Sequence, residues 1–366
     1  MEETVTISDG KTILMVPSSD PGEIGADKYL ASLPLKPQNR YKFIRSIGFG
    51  GMKGVLLVHD RDTNREMAMA IMPDFREKTS AELERFAREA YLTANLEHPN
   101  IVPIYDIGID ESGSPFFTMK YLRGSSLDTL LQRLRKGDSR ENQEYSLQRL
   151  LLIFHRICNA VGFAHTRGVC HLDLKPGNVN VSDFGETFVI DWGLARKMDE
   201  KGGITAVEAG VRGTLGFMPP EQFDTRTKLP LNARSDIFAL GAILYSILAL
   251  EAPCNGKPME EVMRMCASGT VPKPSEVAPD FWHVPASLEA VVRKAMAPHP
   301  KNRYPNVQAL KDDILAYSAG FATKAEHAST FKKSTLFINR HYLLIIIVIL
   351  LAIQMWQAWH WISELL

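Results

Sequence analysis

The residues best suited to chemistry lie in two neighbouring segments, Cys-His-Leu-Asp-Leu-Lys-Pro-Gly-Asn-Val and Val-Ile-Asp-Trp-Gly. In them Asp173 is followed by Lys175, by Asn178 and, eighteen residues on, by Asp191. A carboxylate can orient an attacking hydroxyl group, and a lysine can meet the charge that develops on a transferred phosphoryl group. Asn178 and Asp191 offer the oxygen ligands that Mg²⁺ prefers. The pattern predicts magnesium-dependent phosphoryl transfer, with Asn178 and Asp191 as metal ligands.

This layout resembles the catalytic loop and the metal-binding Asp-x-Gly of protein kinases. A second triplet, Asp183-Phe184-Gly185, matches the usual letters better but begins only ten residues after Asp173. That distance is too short for a strand and its return. We therefore predict strands at 179–181 and 187–190 with a tight turn between them, because Asp-Phe-Gly is ordinary turn composition. The metal ligand is then Asp191.

Upstream, the segment Ile-Gly-Phe-Gly-Gly-Met-Lys-Gly-Val resembles the glycine-rich loop of kinases, whose backbone N–H groups approach phosphates. Lys53 stands where the third glycine is expected. Ala70 stands where the family places a phosphate-binding lysine in a strand, so that lysine is absent. The resemblance assigns nucleotide contacts in this region to Gly48, Gly50, Gly51, Lys53 and Val55.

An amphipathic helix is predicted at 80–96, and its Glu89 falls where the family has a glutamate that pairs with the lysine. The segment 117–122 is predicted to be the last strand of the sheet and the hinge between two lobes. Adenine would hydrogen-bond to the backbone there. The resemblance assigns further nucleotide contacts to Met119, Lys120 and Leu122.

Downstream, residues 213–221 resemble the end of a kinase activation segment. Glu221 is expected to form a buried ion pair with Arg303. An apolar run at 235–250 is too short to cross a bilayer and predicts a buried central helix, in which Asp236 caps the catalytic loop. Leu172 replaces the arginine that receives an activation-segment phosphate in the family, so we expect no phosphate switch of that kind.

The remaining segments flank a predicted kinase domain at 41–317. Residues 1–40 contain four prolines and no sustained period, which predicts a disordered tail, with a docking peptide around 30–35 as the alternative. Residues 318–341 read as a basic linker. Residues 342–362 carry no acidic or basic side chain other than His360 and predict a transmembrane helix, with an interfacial helix as the alternative. We expect a single-pass protein with its kinase domain in the cytoplasm and the lipid bilayer as a partner.

The amino-acid composition bears on the partners of the protein and on the state of its cysteines. The 366 residues include 42 basic and 42 acidic side chains, so the formal net charge is zero. That balance argues against a nucleic-acid partner. The four cysteines show no paired metal-ligand spacing and are expected to be reduced thiols.

The motifs at 41–317 resemble eukaryotic-like, Hanks-type serine/threonine protein kinases of bacteria. The resemblance implies an α+β, two-lobed protein kinase fold: a small β-rich lobe with one helix and a large helical lobe. The C-terminal transmembrane helix is added to this domain. ATP and Mg²⁺ would bind between the lobes, and serine or threonine hydroxyls of protein substrates would accept the phosphoryl group.

Two classes of function remain open. Ala70 favours a pseudokinase that binds partners without phosphotransfer. Lys53 favours an enzyme, because the with-no-lysine kinases supply their phosphate-binding lysine from this position. The catalytic and metal-binding residues are also intact. We therefore expect an active kinase in which Lys53 pairs with Glu89.

Overall fold

The computed structural model describes residues 4–6, 12–14, 33–36, 40–49, 53–137, 144–204, 213–223 and 229–365. Close to the N-terminus, strands β1 (Thr4–Thr6) and β2 (Thr12–Leu14) pair antiparallel. The other described residues form a small lobe rich in strands, a large lobe rich in helices and a long C-terminal helix. The predicted α+β, two-lobed kinase fold is confirmed.

The small lobe is built on an antiparallel sheet of five strands. They are β3 (Tyr41–Phe49), β4 (Gly54–Asp60), β5 (Arg65–Ile71), β6 (Ile104–Ile109) and β7 (Pro115–Lys120). Their order in space is β3-β4-β5-β7-β6. Successive side chains of a strand point to opposite faces, so Met67 and Met69 pack on one face of the sheet and Ala70 and Met72 on the other. The face that carries Ala70 is covered by a helix.

That helix, α1 (Ser80–Ala94), begins at a capping box. The Thr79 backbone N–H donates to the Glu82 carboxylate at 2.9 Å, and the Glu82 N–H donates to Thr79 Oγ1 at 3.4 Å. Phe86 and Ala90 of α1 pack against the sheet in the same cluster as Ala70. The cap and this packing together fix the position of the helix that carries Glu89.

Part of the segment predicted to be a disordered tail is instead paired with the sheet. Residues 33–36 lie along the outer strand β6, where Leu35 forms a parallel bridge with Ile109. The Lys36 N–H donates to the Ile109 carbonyl at 3.1 Å, and the Ile109 N–H donates to the Pro34 carbonyl at 3.3 Å. An edge strand has unpaired backbone groups that can accept a further extended segment. Four residues are too few to show a period, which is why the sequence alone did not predict the pairing.

The large lobe surrounds one buried helix. Its helices are α2 (Leu127–Arg135), α3 (Leu147–Thr166), α4 (Pro220–Phe223), α5 (Ala233–Ala249), α6 (Met259–Ser268), α7 (Pro274–Val277), α8 (Ala286–Ala295) and α9 (Val307–Ser318). Every residue of α5 from Ser235 onward is buried. Gly241 lets α8 approach closely, because a Cβ at that position would lie 2.7 Å from the Cβ of Ala295. The predicted central helix is therefore confirmed.

Short strands support the site in this lobe. They are β8 (Ser125–Ser126), β9 (Val169–Cys170), β10 (Val179–Val181), β11 (Thr187–Val189) and β12 (Arg196–Lys197). Strands β10 and β11 form an antiparallel hairpin in which Val179 lies opposite Val189. Phe184 in the turn is 92% exposed. The predicted hairpin is confirmed, although its second strand ends at Val189 rather than at residue 190.

The segment predicted to be a basic linker is also structured. Asp313 of α9 accepts hydrogen bonds from the backbone N–H groups of Lys324 at 2.6 Å and Ala325 at 3.0 Å. Helix α10 (Thr330–Leu365) then begins well before residue 342. Among the described residues, α10 is the one helix long and apolar enough to span a membrane, with a mean hydropathy of 2.3 in its most apolar window.

Candidate active site

Two side chains of the catalytic loop and one of the activation segment are in mutual contact. Lys175 Nζ donates to Asp173 Oδ2 at 3.0 Å and to Thr214 Oγ1 at 2.7 Å. The Thr214 hydroxyl donates to Asp173 Oδ1 at 3.2 Å. Both oxygens of the carboxylate thus have a donor, which fixes its orientation. The structure brings the predicted Asp173 and Lys175 together and adds Thr214 to them.

Asn178 closes the loop from the other side. It ends a short 3-10 turn, and its Nδ2 donates to the backbone carbonyl of Asp173 at 2.8 Å and to Asp173 Oδ2 at 3.2 Å. These bonds use the amide nitrogen, so the amide oxygen is the atom suited to a metal ion.

The loop backbone is held by a buried carboxylate. Asp236 Oδ2 accepts from the His171 N–H at 2.8 Å, and Oδ1 accepts from the Leu172 N–H at 2.9 Å. His165 Nε2 lies 2.8 Å from Asp236 Oδ2. Burial would raise the pKa of Asp236, but the His165 contact and the N–H donors lower it. Leu172 has a left-handed φ of 64°, a strained conformation that these bonds help to maintain. The predicted capping role of Asp236 is confirmed.

Asp191 enters the site from the end of the hairpin. The Ile190 N–H donates to the Asn178 carbonyl at 2.9 Å, which ties this segment to the catalytic loop. The next residue, Trp192, is buried against His171, with 4.5 Å between ring centroids. Asp191 itself adopts a left-handed φ of 64°, and its side chain is 41% exposed. The Trp192 anchor thus holds Asp191 at the site.

Lys53 lies between two carboxylates. Its ammonium group contacts Glu89 Oε1 of α1 and donates to Asp191 Oδ1 at 2.9 Å. Burial would lower the pKa of Lys53, but the two carboxylates raise it above its ordinary value. Burial also acts on Asp191, but the Lys53 charge outweighs it and holds the pKa of Asp191 below its usual range. The structure therefore brings Glu89 and Asp191 together at the ammonium group of Lys53.

Glu89 is the most deeply buried of these three side chains. Burial raises its pKa, the nearby Asp191 raises it further, and Lys53 opposes both. Without an adjacent cation, a carboxylate buried in this way would tend to be neutral. Lys53 therefore favours the charged form of Glu89, while burial, the larger effect, leaves the pKa of this carboxyl raised.

Asp183, by contrast, is exposed in the turn of the hairpin. The turn closes through a hydrogen bond from the Gly185 N–H to the Ser182 carbonyl at 2.9 Å, and Arg156 donates to the Gly185 carbonyl. These contacts describe a structural turn.

The remaining predicted nucleotide contacts lie around the sheet and the hinge. Gly48 and Val55 face each other in the β3–β4 ladder, whereas Gly50 and Gly51 lie outside the described residues. Met119 pairs with Ala68 in the sheet, and Leu122 follows β7.

Lys120 is engaged in other contacts, including one of its ammonium group with the Phe188 ring, at 4.5 Å from the centroid. Its ammonium group donates to Glu186 at 2.9 Å, and its N–H donates to the Pro103 carbonyl at 3.2 Å. The side chain and the N–H of Lys120 are thus occupied by contacts within the protein.

The predicted ion pair of the activation segment is confirmed. Arg303 donates to both oxygens of Glu221, at 2.6 and 2.8 Å, and neither side chain is exposed. Ser235 also donates to Glu221 at 2.9 Å, and Arg303 donates to the Ala297 carbonyl at 2.8 Å. A buried pair with its remaining groups satisfied is costly to break from one side.

Sequence reasoning missed two features of this site. Thr214 was not predicted to contact the catalytic residues, although the Gly-Thr that precedes Pro-Pro-Glu was a usable signal. Leu172 was predicted only to lack a charge. In the structure it forms an apolar cluster with Cys170, Ile204 and Leu231. The activation segment is thus attached to the catalytic loop by apolar contacts.

Comparison with known proteins agrees with this geometry. Residues 41–315 match the protein kinase domain family. Aligned over 298 residues, 77% of this chain is 33% identical to the serine/threonine-protein kinase PknD of Chlamydia pneumoniae. PknD of Chlamydia abortus is 34% identical over 76% of the chain, and PknD of Protochlamydia amoebophila is 32% identical over 76%. The alignments cover only 30–31% of these relatives' own lengths. The chain belongs to the protein kinase family.

Proposed function

We propose that this chain is an active serine/threonine protein kinase in which Lys53 replaces the missing strand lysine. One observation carries the proposal: the Lys53 ammonium group contacts both Glu89 and Asp191. In the family, the strand lysine makes the pairing with the helix glutamate and reaches the phosphates. Lysine is long enough to bring its charge to the same place from a neighbouring strand.

The residues of the catalytic loop can perform the transfer. The hydroxyl oxygen of a serine or threonine forms a bond to the γ-phosphorus of ATP as the bond from that phosphorus to the oxygen of ADP breaks. Asp173 orients the hydroxyl group and accepts its proton, and ADP leaves with the electron pair of the broken bond. Lys175 stabilises the charge on the phosphoryl group, and Thr214 holds both residues in place.

The donor set fits a magnesium ion. Asn178 would contribute its amide oxygen, because its nitrogen holds the catalytic loop. Asp191 would contribute a carboxylate that the neighbouring Lys53 keeps ionised. When bound, Mg²⁺ would neutralise charge on the phosphate groups. The nucleotide would lie against Gly48 and Val55 and would contact the hinge backbone.

We also infer a membrane location. Helix α10 is long enough to span a bilayer, and the basic residues Lys332, Lys333 and Arg340 precede its apolar part. Basic residues stay on the cytoplasmic side of a membrane, so the kinase domain would be cytoplasmic and the chain would cross once. Protein substrates would then be found at or near the membrane surface.

A pseudokinase is the second candidate. Ala70 favours it, because this position is 0% exposed and lies in an apolar cluster, with no lysine in the strand. A pseudokinase would use the same fold to bind partners and would transfer no phosphate.

Replacing Lys53 with methionine decides between these candidates. Full-length protein in detergent micelles would be assayed with labelled ATP, Mg²⁺ and casein as a general protein acceptor. Lys53→Met should lower phosphotransfer by about 10²- to 10³-fold, the usual cost of removing one preorganised electrostatic contact. Lys42→Met, at an exposed position on β3, is the matched control and should keep full activity. No transfer by the wild-type chain would favour the pseudokinase.

A further inference from the structure

We propose that residues 33–36, here called the strap, position α1 for phosphoryl transfer, and that Leu33 is the positioning residue. The strap precedes the kinase domain and contacts neither Lys53 nor the catalytic loop among the contacts described above. It acts through α1, which carries Glu89. The proposal rests on the proposed role of Lys53 and Glu89.

The apolar part of the contact is small and specific. Leu33 is 7% exposed and forms a cluster with Ala87 of α1 and with Ile107 and Ile109 of β6. Ala87 lies two residues before Glu89 on the same helix. The Leu33 side chain is therefore packed between α1 and the outer strand β6.

The sheet is shaped to receive the strap. A Cβ at Gly108 would lie 2.6 Å from Lys36 Cγ and 3.0 Å from the Pro34 carbonyl oxygen. A side chain at this position would clash with the Lys36 side chain and crowd the Pro34 carbonyl. This close approach and the two backbone hydrogen bonds to Ile109 fix the position of residues 33–36 along β6.

Charged contacts hold the C-terminal side of the strap. Lys36 Nζ lies 2.8 Å from Asp106, and Arg40 donates to Asp106 at 3.1 Å. Arg40 also donates to both oxygens of Asp60, at 3.1 and 3.2 Å. Burial would raise the pKa of Asp60, but these bonds lower it to about 2. Lys36 thus attaches the strap to β6, and Arg40, which precedes β3, links Asp106 of β6 to Asp60 of β4. Leu33 reaches the helix.

The position of Glu89 depends on the contacts that hold α1. Phe86 and Ala90 hold α1 from the sheet side, and Leu33 holds it at Ala87. If Leu33 is removed, α1 can shift, and Glu89 then moves away from Lys53. A misplacement of about 1 Å at a catalytic contact can cost roughly 10²-fold in rate.

The test uses two leucines of the same segment. In the full-length protein, Leu33→Ser should lower kcat/KM for ATP by about 10- to 100-fold. Leu35→Ser should not lower it, because that side chain is 63% exposed. Leu33→Met should restore most of the activity. Gly108→Val should reproduce the loss without altering the strap itself.

A double-mutant cycle separates positioning from general destabilisation. If the strap acts through Glu89, Leu33→Ser should cost much less in a Glu89→Gln background than in the wild type, since the two changes then remove one effect. Equal losses in both backgrounds, or equal effects of Leu33→Ser and Leu35→Ser, would overturn the proposal.

Hydrogen exchange tests the strap even if the wild-type chain transfers no phosphate. Leu33→Ser should speed amide exchange in α1, whereas Leu35→Ser should leave it unchanged. If the wild type is inactive but Leu33→Ser still speeds exchange in α1, the contact of the strap with α1 stands and the proposed function fails. Unchanged exchange in α1 would refute the strap, whether or not the chain is active.

Discussion

Lys53 and Asp191 lie 138 residues apart in the chain and meet through a hydrogen bond of 2.9 Å. The bond joins the end of the glycine-rich segment to the aspartate that follows the β10–β11 hairpin. Because Glu89 shares the same ammonium group, one cation connects both lobes. Of the two candidate metal-binding triplets, which begin at Asp183 and Asp191, only the second takes part in this contact among the described residues.

This relationship predicts which aspartate supports metal binding. Asp191→Asn should abolish the Mg²⁺-dependent part of nucleotide binding, because the amide lacks the charge that a hard cation favours. Asp183→Asn should leave it intact, since Asp183 is an exposed turn residue. Titration of a fluorescent ATP analogue with and without Mg²⁺ measures both. A loss confined to Asp183→Asn would show that the metal site had been assigned to the wrong triplet.

A second prediction concerns Thr214, whose hydroxyl contacts both Lys175 and Asp173. Thr214→Val should lower kcat by about 10- to 100-fold, because hydrogen bonds to charged groups contribute about 1.5–3 kcal/mol. Thr214→Ser keeps the hydroxyl group and should retain most of the activity. Steady-state kinetics of both variants at saturating ATP give the comparison. Equal activity of the valine and serine variants would contradict a role for the hydroxyl group.

The apolar surroundings of Leu172 predict how the activation segment is controlled. Leu172 packs with Ile204 and Leu231 and cannot bind a phosphate through charged hydrogen bonds. Dephosphorylated enzyme should therefore keep most of its activity. The check is to treat the protein with a phosphatase, remove the phosphatase and measure initial rates. A large loss would indicate a phosphate-binding group elsewhere. Thr205, a possible modification site, lies outside the described residues.

Much of the site could be predicted because its parts are close in sequence or belong to strong motifs. The spacing from Asp173 to Asp191 leaves room for one hairpin, so the choice of metal ligand followed from chain geometry. Glu221 and Arg303 are far apart in the chain but lie in recognisable motifs. The ion pair between them was therefore predictable as well.

The features that were missed depend on contacts that leave no local pattern. Residues 33–36 are too few to show a period, and their pairing depends on the unpaired edge of β6 and on Gly108. Residues 318–329 were predicted to be part of a basic linker because the whole segment 318–341 carries Lys324, Lys332, Lys333 and Arg340. Their folding depends on Asp313, which binds two backbone N–H groups. Such tertiary contacts override composition.

If helix α10 anchors the protein in a membrane, shortened chains that lack it should be soluble. The full-length protein should fractionate with membranes and resist carbonate extraction. A chain ending at Ser329 should be soluble and stable, because it keeps the buried Thr323 and Ala325. A chain ending at Ala319 should also leave the membrane but melt at a lower temperature. Release of the full-length protein by carbonate would favour an interfacial helix.

The position of Ala70 allows a test of whether a lysine can return to the strand. Ala70 lies on the face of β5 that packs against α1, in one cluster with Phe86 and Ala90. A lysine introduced there would extend toward the helix that carries Glu89. Met69 lies on the opposite face of the same strand.

In the Lys53→Met background, Ala70→Lys should therefore restore part of the phosphotransfer activity, because it returns a cation to Glu89. The rescue should be incomplete and should lower the melting temperature, since the new ammonium group enters an apolar site that is 0% exposed. Met69→Lys in the same background is the matched control and should restore nothing. Initial rates and thermal melts of the three proteins give the answer. Equal activity of the two lysine variants would show that the position of the new lysine relative to α1 has no effect. Equal activity of Lys53→Met and the wild type would show that Lys53 is an ordinary loop residue without a role in phosphotransfer.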